Sequence, residues 1–131
     1  LYDDPHQRFG MWSYQIWRAC RLVVDTGMHA FGWSREQAIE FMADNTGMTV
    51  EAVTAEIDRH ITEPGQGLAY TMGNLEISNL REQAEERLGG AFDVREFHHA
   101  VLRNGPLPLS LLRAEVTAWI DSAGAATAGL P

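Results

Sequence analysis

The chain has 131 residues and a formal net charge of −8, with apolar residues at 45% and charged residues at 21%. That is the length of one ordinary domain and the composition of a globular one. No stretch approaches the roughly 20 apolar residues that span a bilayer, the acidic balance argues against nucleic acid, and the single cysteine, Cys20, cannot form an internal disulfide.

Almost everything reads as helix. The first segment, about Arg8 to Thr26, carries Phe9, Trp12, Ile16, Trp17, Cys20, Val23 and Val24 around most of its circumference, the pattern of a buried helix. Gly27 and Gly32 suggest a break after it. Ser34 with Gln37 forms a capping box for a second helix carrying Ala38, Ile39, Phe41 and Met42, stopped at Gly47. Thr49 caps a third through Val53 and Ile57 to about Ile61, before the breaker Glu63-Pro64-Gly65.

A fourth helix is predicted from about Gln66 to Leu88, with Leu68, Met72, Leu75 and Leu80 inward and Gly73 marking a close helix crossing. Asp93 and Glu96 cap a fifth, to about Arg103. Pro108 opens a sixth through Leu109, Leu112, Val116 and Trp119. Residues 122–131, rich in Ala, Gly and Thr, read as a flexible tail. No strand alternation is visible, so the fold class is all-α, with about six helices in a region of residues 1–121.

No metalloprotease helix motif, paired-cysteine motif, phosphate loop or nucleophile elbow is present. No two of the five histidines are three or four residues apart, and the adjacent pair His98-His99 diverges by about 100° on a helix. One stripe stands out. Tyr14, Arg18, Arg21, Asp25 and His29 fall within an arc of roughly 80° on the first helix. Either Arg21 and Asp25 form a structural ion pair, or the stripe walls a cleft in which arginine holds a carboxylate and His29 donates a hydrogen bond. A break at Gly27 would rotate His29 off it. A second place is the glycine-rich turn Pro64-Gly65-Gln66-Gly67 with Tyr70 one helical turn on. That tyrosine is either a packing residue or a hydroxyl donor to an oxyanion.

The runs Arg18-Ala19-Cys20-Arg21-Leu22-Val23-Val24-Asp25-Thr26-Gly27-Met28-His29, Gly32-Trp33-Ser34-Arg35-Glu36-Gln37-Ala38, Pro64-Gly65-Gln66-Gly67-Leu68-Ala69-Tyr70 and Phe97-His98-His99-Ala100-Val101-Leu102-Arg103-Asn104-Gly105-Pro106-Leu107-Pro108-Leu109 occur in that order. Together they resemble the C-terminal part of the bacterial "domain of unknown function 885" family. Phe31, Gly67 and His99 depart from its commonest residues. The resemblance implies a larger helical, zincin-like metallopeptidase or related hydrolase acting on a peptide or small amide. Its zinc ligands and catalytic glutamate lie upstream of the matched part, so no metal ligand is assigned here.

By the same resemblance His29 and Tyr70 are catalytic candidates, stabilising the oxyanion, and Arg18, Arg21 and Asp25 are substrate-binding candidates. The resemblance thus implies the C-terminal, cleft-forming portion of a zinc-dependent peptidase-like hydrolase. Zinc would be bound in the parent protein and not by this chain, which would be inactive alone. The alternative is a non-catalytic helical scaffold or interaction module. The apolar first helix discriminates the two: left uncovered by the other helices it calls for a partner, whether a missing N-terminal catalytic part, another chain or a second copy, whereas a monomer with that helix fully covered would favour an independent module. The start at Leu1, with no signal-peptide pattern, is read as that of a piece of a longer protein, which leaves the compartment open.

Overall fold

The computed structural model describes residues 2–128, with side chains through 125. Among the described residues six α-helices follow one another: α1 (Pro5–Ala30), α2 (Arg35–Asn45), α3 (Val50–Thr62), α4 (Ala69–Leu88), α5 (Val94–Leu102) and α6 (Leu109–Ala128). Short 3-10 turns at Gln66–Leu68 and Gly89–Ala91 flank α4. The all-α class is as expected, but the chain gathers into two compact units that divide after Met72, inside α4.

Caps set the helix starts. The Asp4 carboxylate accepts from the N–H groups of His6 and Gln7, with Pro5 at the first position of α1, where no amide donor is needed. Ser34 and Gln37 complete the reciprocal box of α2, and Thr49 caps α3. At α5 only the Asp93 half of the expected box is present. Its carboxylate accepts from the Arg95 N–H and pairs with the Arg95 guanidinium, contacts that hold it down at about 2.

In the first unit the core is Trp17, Cys20 and Val24 of α1 against Ala38 and Met42 of α2 and Val53 and Ile57 of α3. Trp33 and Phe41 close one edge, their rings 5.5 Å apart. In the second unit Leu80, Ala84 and Leu88 of α4 meet Phe97 of α5 and Leu112, Val116 and Ile120 of α6. Arg113 pairs there with Glu76, and Arg87 with Asp121.

Three expectations are corrected. There is no break at Gly27: α1 runs on to Ala30 and the chain turns at Gly32, φ 70°, while Gly27 serves as a contact, the Trp33 indole packing 2.5 Å from where its Cβ would be. His29 therefore stays on the stripe. Second, α1 is not buried throughout. At about 1.5 Å per residue its 26 residues reach roughly 39 Å, whereas α2 and α3, with 11 and 13 residues, reach about 16 and 20 Å. Phe9, Trp12 and Ile16 are left exposed. Third, nothing approaches Gly73 within 4 Å, so no close crossing explains it. Residues 122–128, placed in the expected tail, lie within the span of α6; 129–131 lie outside the described residues.

The two glycines separate backbone preference from packing. Gly73→Ala, in open helix, is expected to raise stability by about 0.5–1 kcal/mol. Gly27→Ala, although it offers the same helical gain, is expected to lower it by about 1–3 kcal/mol through overpacking against Trp33. Urea unfolding of both variants checks this, and two changes of the same sign would refute the assignment of Gly27 to close approach.

Candidate functional site

The stripe on α1 meets the Pro64–Gly67 turn through Asp25, whose side chain is buried. Gly65 N–H donates to Asp25 Oδ1 and Gly67 N–H to Oδ2, each at 2.9 Å. Both carboxylate oxygens are thereby engaged with backbone, the arrangement that compensates a buried anion. Gly65 turns the chain with φ 84°, which favours glycine. Gly67 is needed for a different reason. A Cβ there would stand 2.9 Å from the Arg21 carbonyl, 2.9 Å from Asp25 Oδ2 and 3.1 Å from the His60 ring.

His29 lies one helical turn beyond Asp25. Its Nε2 is 3.0 Å from the His60 carbonyl and 3.8 Å from Asp25 Oδ1. A carbonyl only accepts, so Nε2 carries the proton and donates. His29 thus ties the end of α1 to the last turn of α3.

Arg21 does not pair with Asp25. Its Nε lies 2.7 Å from Glu56 Oε1 on α3, off the line of a hydrogen bond. The same oxygen accepts from Arg59 at 2.7 Å and lies 2.9 Å from His60 Nε2. Arg59 also donates to Glu63 at 2.7 Å and to Gln66 Oε1 at 2.8 Å, fastening the turn to α3. Burial works to raise the Glu56 carboxyl, but Arg59, Arg21 and His60 together hold it below its ordinary value. His60 is fully buried. Burial first, and then the charge of Arg59, push its imidazole below its ordinary value against the pull of Glu56 and Asp25. Its Nδ1 sits 3.8 Å from Asp25 Oδ2 with no hydrogen-bond partner.

Tyr70 belongs to another station of the stripe. Its ring lies under the Arg18 guanidinium at 5.1 Å, with Tyr14 on the same guanidinium at 5.8 Å. Thr71 Oγ1 donates to the Arg18 carbonyl at 3.1 Å. So the structure brings Arg18 to Tyr70, and Asp25 to His29 and the turn, while Arg21 goes to Glu56. Arg18 and His29 stand eleven residues apart on α1, about 16 Å along its axis.

Glu56, Arg59 and His60 were not singled out by sequence. Their spacings of three and four residues on one helix were readable as a polar face. That this face meets the stripe of α1 was not.

The donors do not fit a metal centre. Asp25 spends both oxygens on backbone N–H groups, His29 Nε2 donates to a carbonyl, and Cys20 is a buried thiol pushed up by burial. Among the described residues no group of three or more His, Cys, Asp or Glu side chains is arranged to hold an ion. Nor, among them, is any helix long and apolar enough to cross a membrane.

Residues 1–116 match the family described as bacterial protein of unknown function (DUF885). The chain is also similar to a crystal structure of a candidate lipoprotein from Colwellia psychrerythraea, at 47% identity and a TM-score of 0.90. That match covers 93% of this chain and 21% of the other, so the chain spans about a fifth of that protein's length. No curated protein matches.

Two predictions follow from the Asp25 centre. Asp25→Asn turns an amide NH2 toward one of the two glycine donors, and is expected to cost about 1–3 kcal/mol, measured by urea unfolding. An unchanged midpoint would show that the turn does not depend on the carboxylate. The second concerns acid. Neutral and buried, His60 contributes stability that is complete above its ordinary value of 6.5 and is lost as pH falls toward its lower folded value. Glu56 adds a loss of the same sign, complete above 4.5 and lost as pH falls toward its own lowered value. The urea midpoint should therefore decline from near pH 6.5 downward, with His60→Gln removing the upper part of the decline. A midpoint that stays level or rises on acidification contradicts the neutral, buried histidine.

Proposed function

The chain belongs to the DUF885 family, and from that premise we propose that it works as a non-catalytic helical scaffold or interaction module whose docking surface is the N-terminal half of α1. The carrying observation is an exposed apolar stripe: Phe9 at 74%, Trp12 at 61% and Ile16 at 48% of full exposure. At about 100° per residue the three fall within an arc of roughly 60°. Large apolar side chains lined up on one face of a solvent-exposed helix mark an interaction surface, because their burial is worth about 1.5–3 kcal/mol each. The partner is the remainder of a longer family protein; the 21% share of the Colwellia psychrerythraea protein that the chain matches supports that reading.

The competing reading makes the same chain the C-terminal cleft wall of a zinc-dependent peptidase-like hydrolase. His29 and Tyr70 would then stabilise an oxyanion, Arg18, Arg21 and Asp25 would face a peptide or small amide, and zinc and general base would come from elsewhere in the parent. Its support is the half-buried Arg18 beside Tyr70. Against it, Asp25, Arg21 and His29 are taken up by contacts within the chain. The scaffold reading needs none of these groups to be free.

The chain alone is expected to self-associate at tens of micromolar, seen by analytical ultracentrifugation, and Trp12→Glu is expected to return it to a monomer with unchanged helix content. A monodisperse wild-type monomer at that concentration would remove the docking surface.

A further inference from the structure

Ten arginines face eighteen carboxylate side chains in this protein. Eight of the ten have a carboxylate within ion-pairing distance: Arg21, Arg35, Arg59, Arg81, Arg87, Arg95, Arg103 and Arg113. Arg8, at the exposed start of α1, donates to the Tyr2 carbonyl. Arg18 differs from all of them. It is half-buried and, among the described residues, its guanidinium meets only the faces of Tyr14 and Tyr70.

Two aromatic faces orient a guanidinium without neutralising it. Such contacts use the face of the group and do not consume its N–H donors, which a planar anion could then take. Beside it opens a cavity of about 350 Å³ lined by Tyr2, Met11, Tyr14, Gln15 and Arg18. The lining sets the ligand class. The guanidinium offers a two-pronged edge for a carboxylate, the Gln15 amide offers a neutral donor or acceptor, and Met11 with the tyrosine rings offers apolar surface.

We propose that Arg18, flanked by Tyr14 and Tyr70, is a binding site for a small carboxylate that carries an apolar or aromatic group. The site holds equally for a scaffold and for a cleft wall. It lies roughly 140° round α1 from the Phe9–Trp12–Ile16 stripe, so losing one does not remove the other. It also narrows the substrate-binding candidates to one residue, since Arg21 is spent on Glu56 and Asp25 on the turn.

The test titrates the protein with N-acetylphenylalanine and, separately, with its neutral amide, following the side-chain N–H resonances of arginine and the ring resonances of tyrosine by NMR. The acid is expected to shift Arg18, Tyr14 and Tyr70, and to bind about tenfold or more tightly than the amide, because only the acid forms charge-assisted bonds. Arg18→Gln is expected to abolish that preference and Arg18→Lys, which keeps the charge without the fork, to reduce it. Equal binding of acid and amide by the wild-type protein overturns the proposal, whatever the variants do. So does an acid preference that survives in a folded Arg18→Gln protein. Inorganic phosphate binding as tightly as the acid overturns the choice of carboxylate and leaves an unspecific cation.

Discussion

A carboxylate buried in a small helical unit is a cost that must be met on the spot, and Asp25 meets it with two backbone amides from one glycine-rich turn. Much of the first unit hangs on that arrangement. Because both oxygens take amides two residues apart, the turn can sit in one position only, with Gly67 against the Arg21 carbonyl and too close for any side chain. The placement of the turn then decides where α4 begins. It puts Thr71 within reach of the Arg18 carbonyl and lays the Tyr70 ring under the Arg18 guanidinium. The aromatic setting of Arg18 is thus a downstream consequence of a carboxylate seven residues further along the same helix.

The second centre, on α3, has a different logic. Glu56 gathers two arginines and a histidine on one oxygen, and burial first, then the positive charge of Arg59, keeps His60 neutral in spite of two nearby carboxylates. The imidazole has one proton for two nitrogens. Its Nε2 lies between Glu56, which can only accept, and Arg59, which can only donate. Protonation would suit both Glu56 and Asp25 but would add a third cation beside Arg21 and Arg59 at a fully buried side chain. Burial decides the contest in favour of the neutral ring, so acid is the direction in which this unit is vulnerable.

What was legible in the sequence was whatever is local. The caps at Ser34 and Thr49, the glycine and proline stops and the order of six helices are decided by residues within a few positions of one another, and the structure has them. The stripe of α1 was legible too, because it depends only on helical period. Its partners were not. Arg21 and Asp25 look like an ion pair at their spacing, but the strongest partner of each comes from another segment, 35 residues away for Glu56 and 40 or 42 for the turn amides. Gly27 misled for the same reason. Glycine in a helix reads as a weakness until a tryptophan six residues later is seen to need the space. The exposure of Phe9, Trp12 and Ile16 depends on how far α2 and α3 reach, which no local pattern states.

The polar stripe of α1 therefore divides into groups that are consumed and one that is not. Asp25, His29 and Arg21 bind the unit to itself, and each has a counterpart within it. If the stripe served packing alone, Arg18 would be expected to follow the same rule. With an excess of eight negative charges, a carboxylate within reach would be easy to place, and a half-buried guanidinium gains more from one than an exposed side chain does. Eight other arginines have one. Instead Arg18 stands over the rings of two tyrosines at the edge of a cavity, with no carboxylate partner among the described residues. Cation–π attraction stabilises Arg18 there without neutralising it, and this separates it from the stripe residues that are paired within the unit.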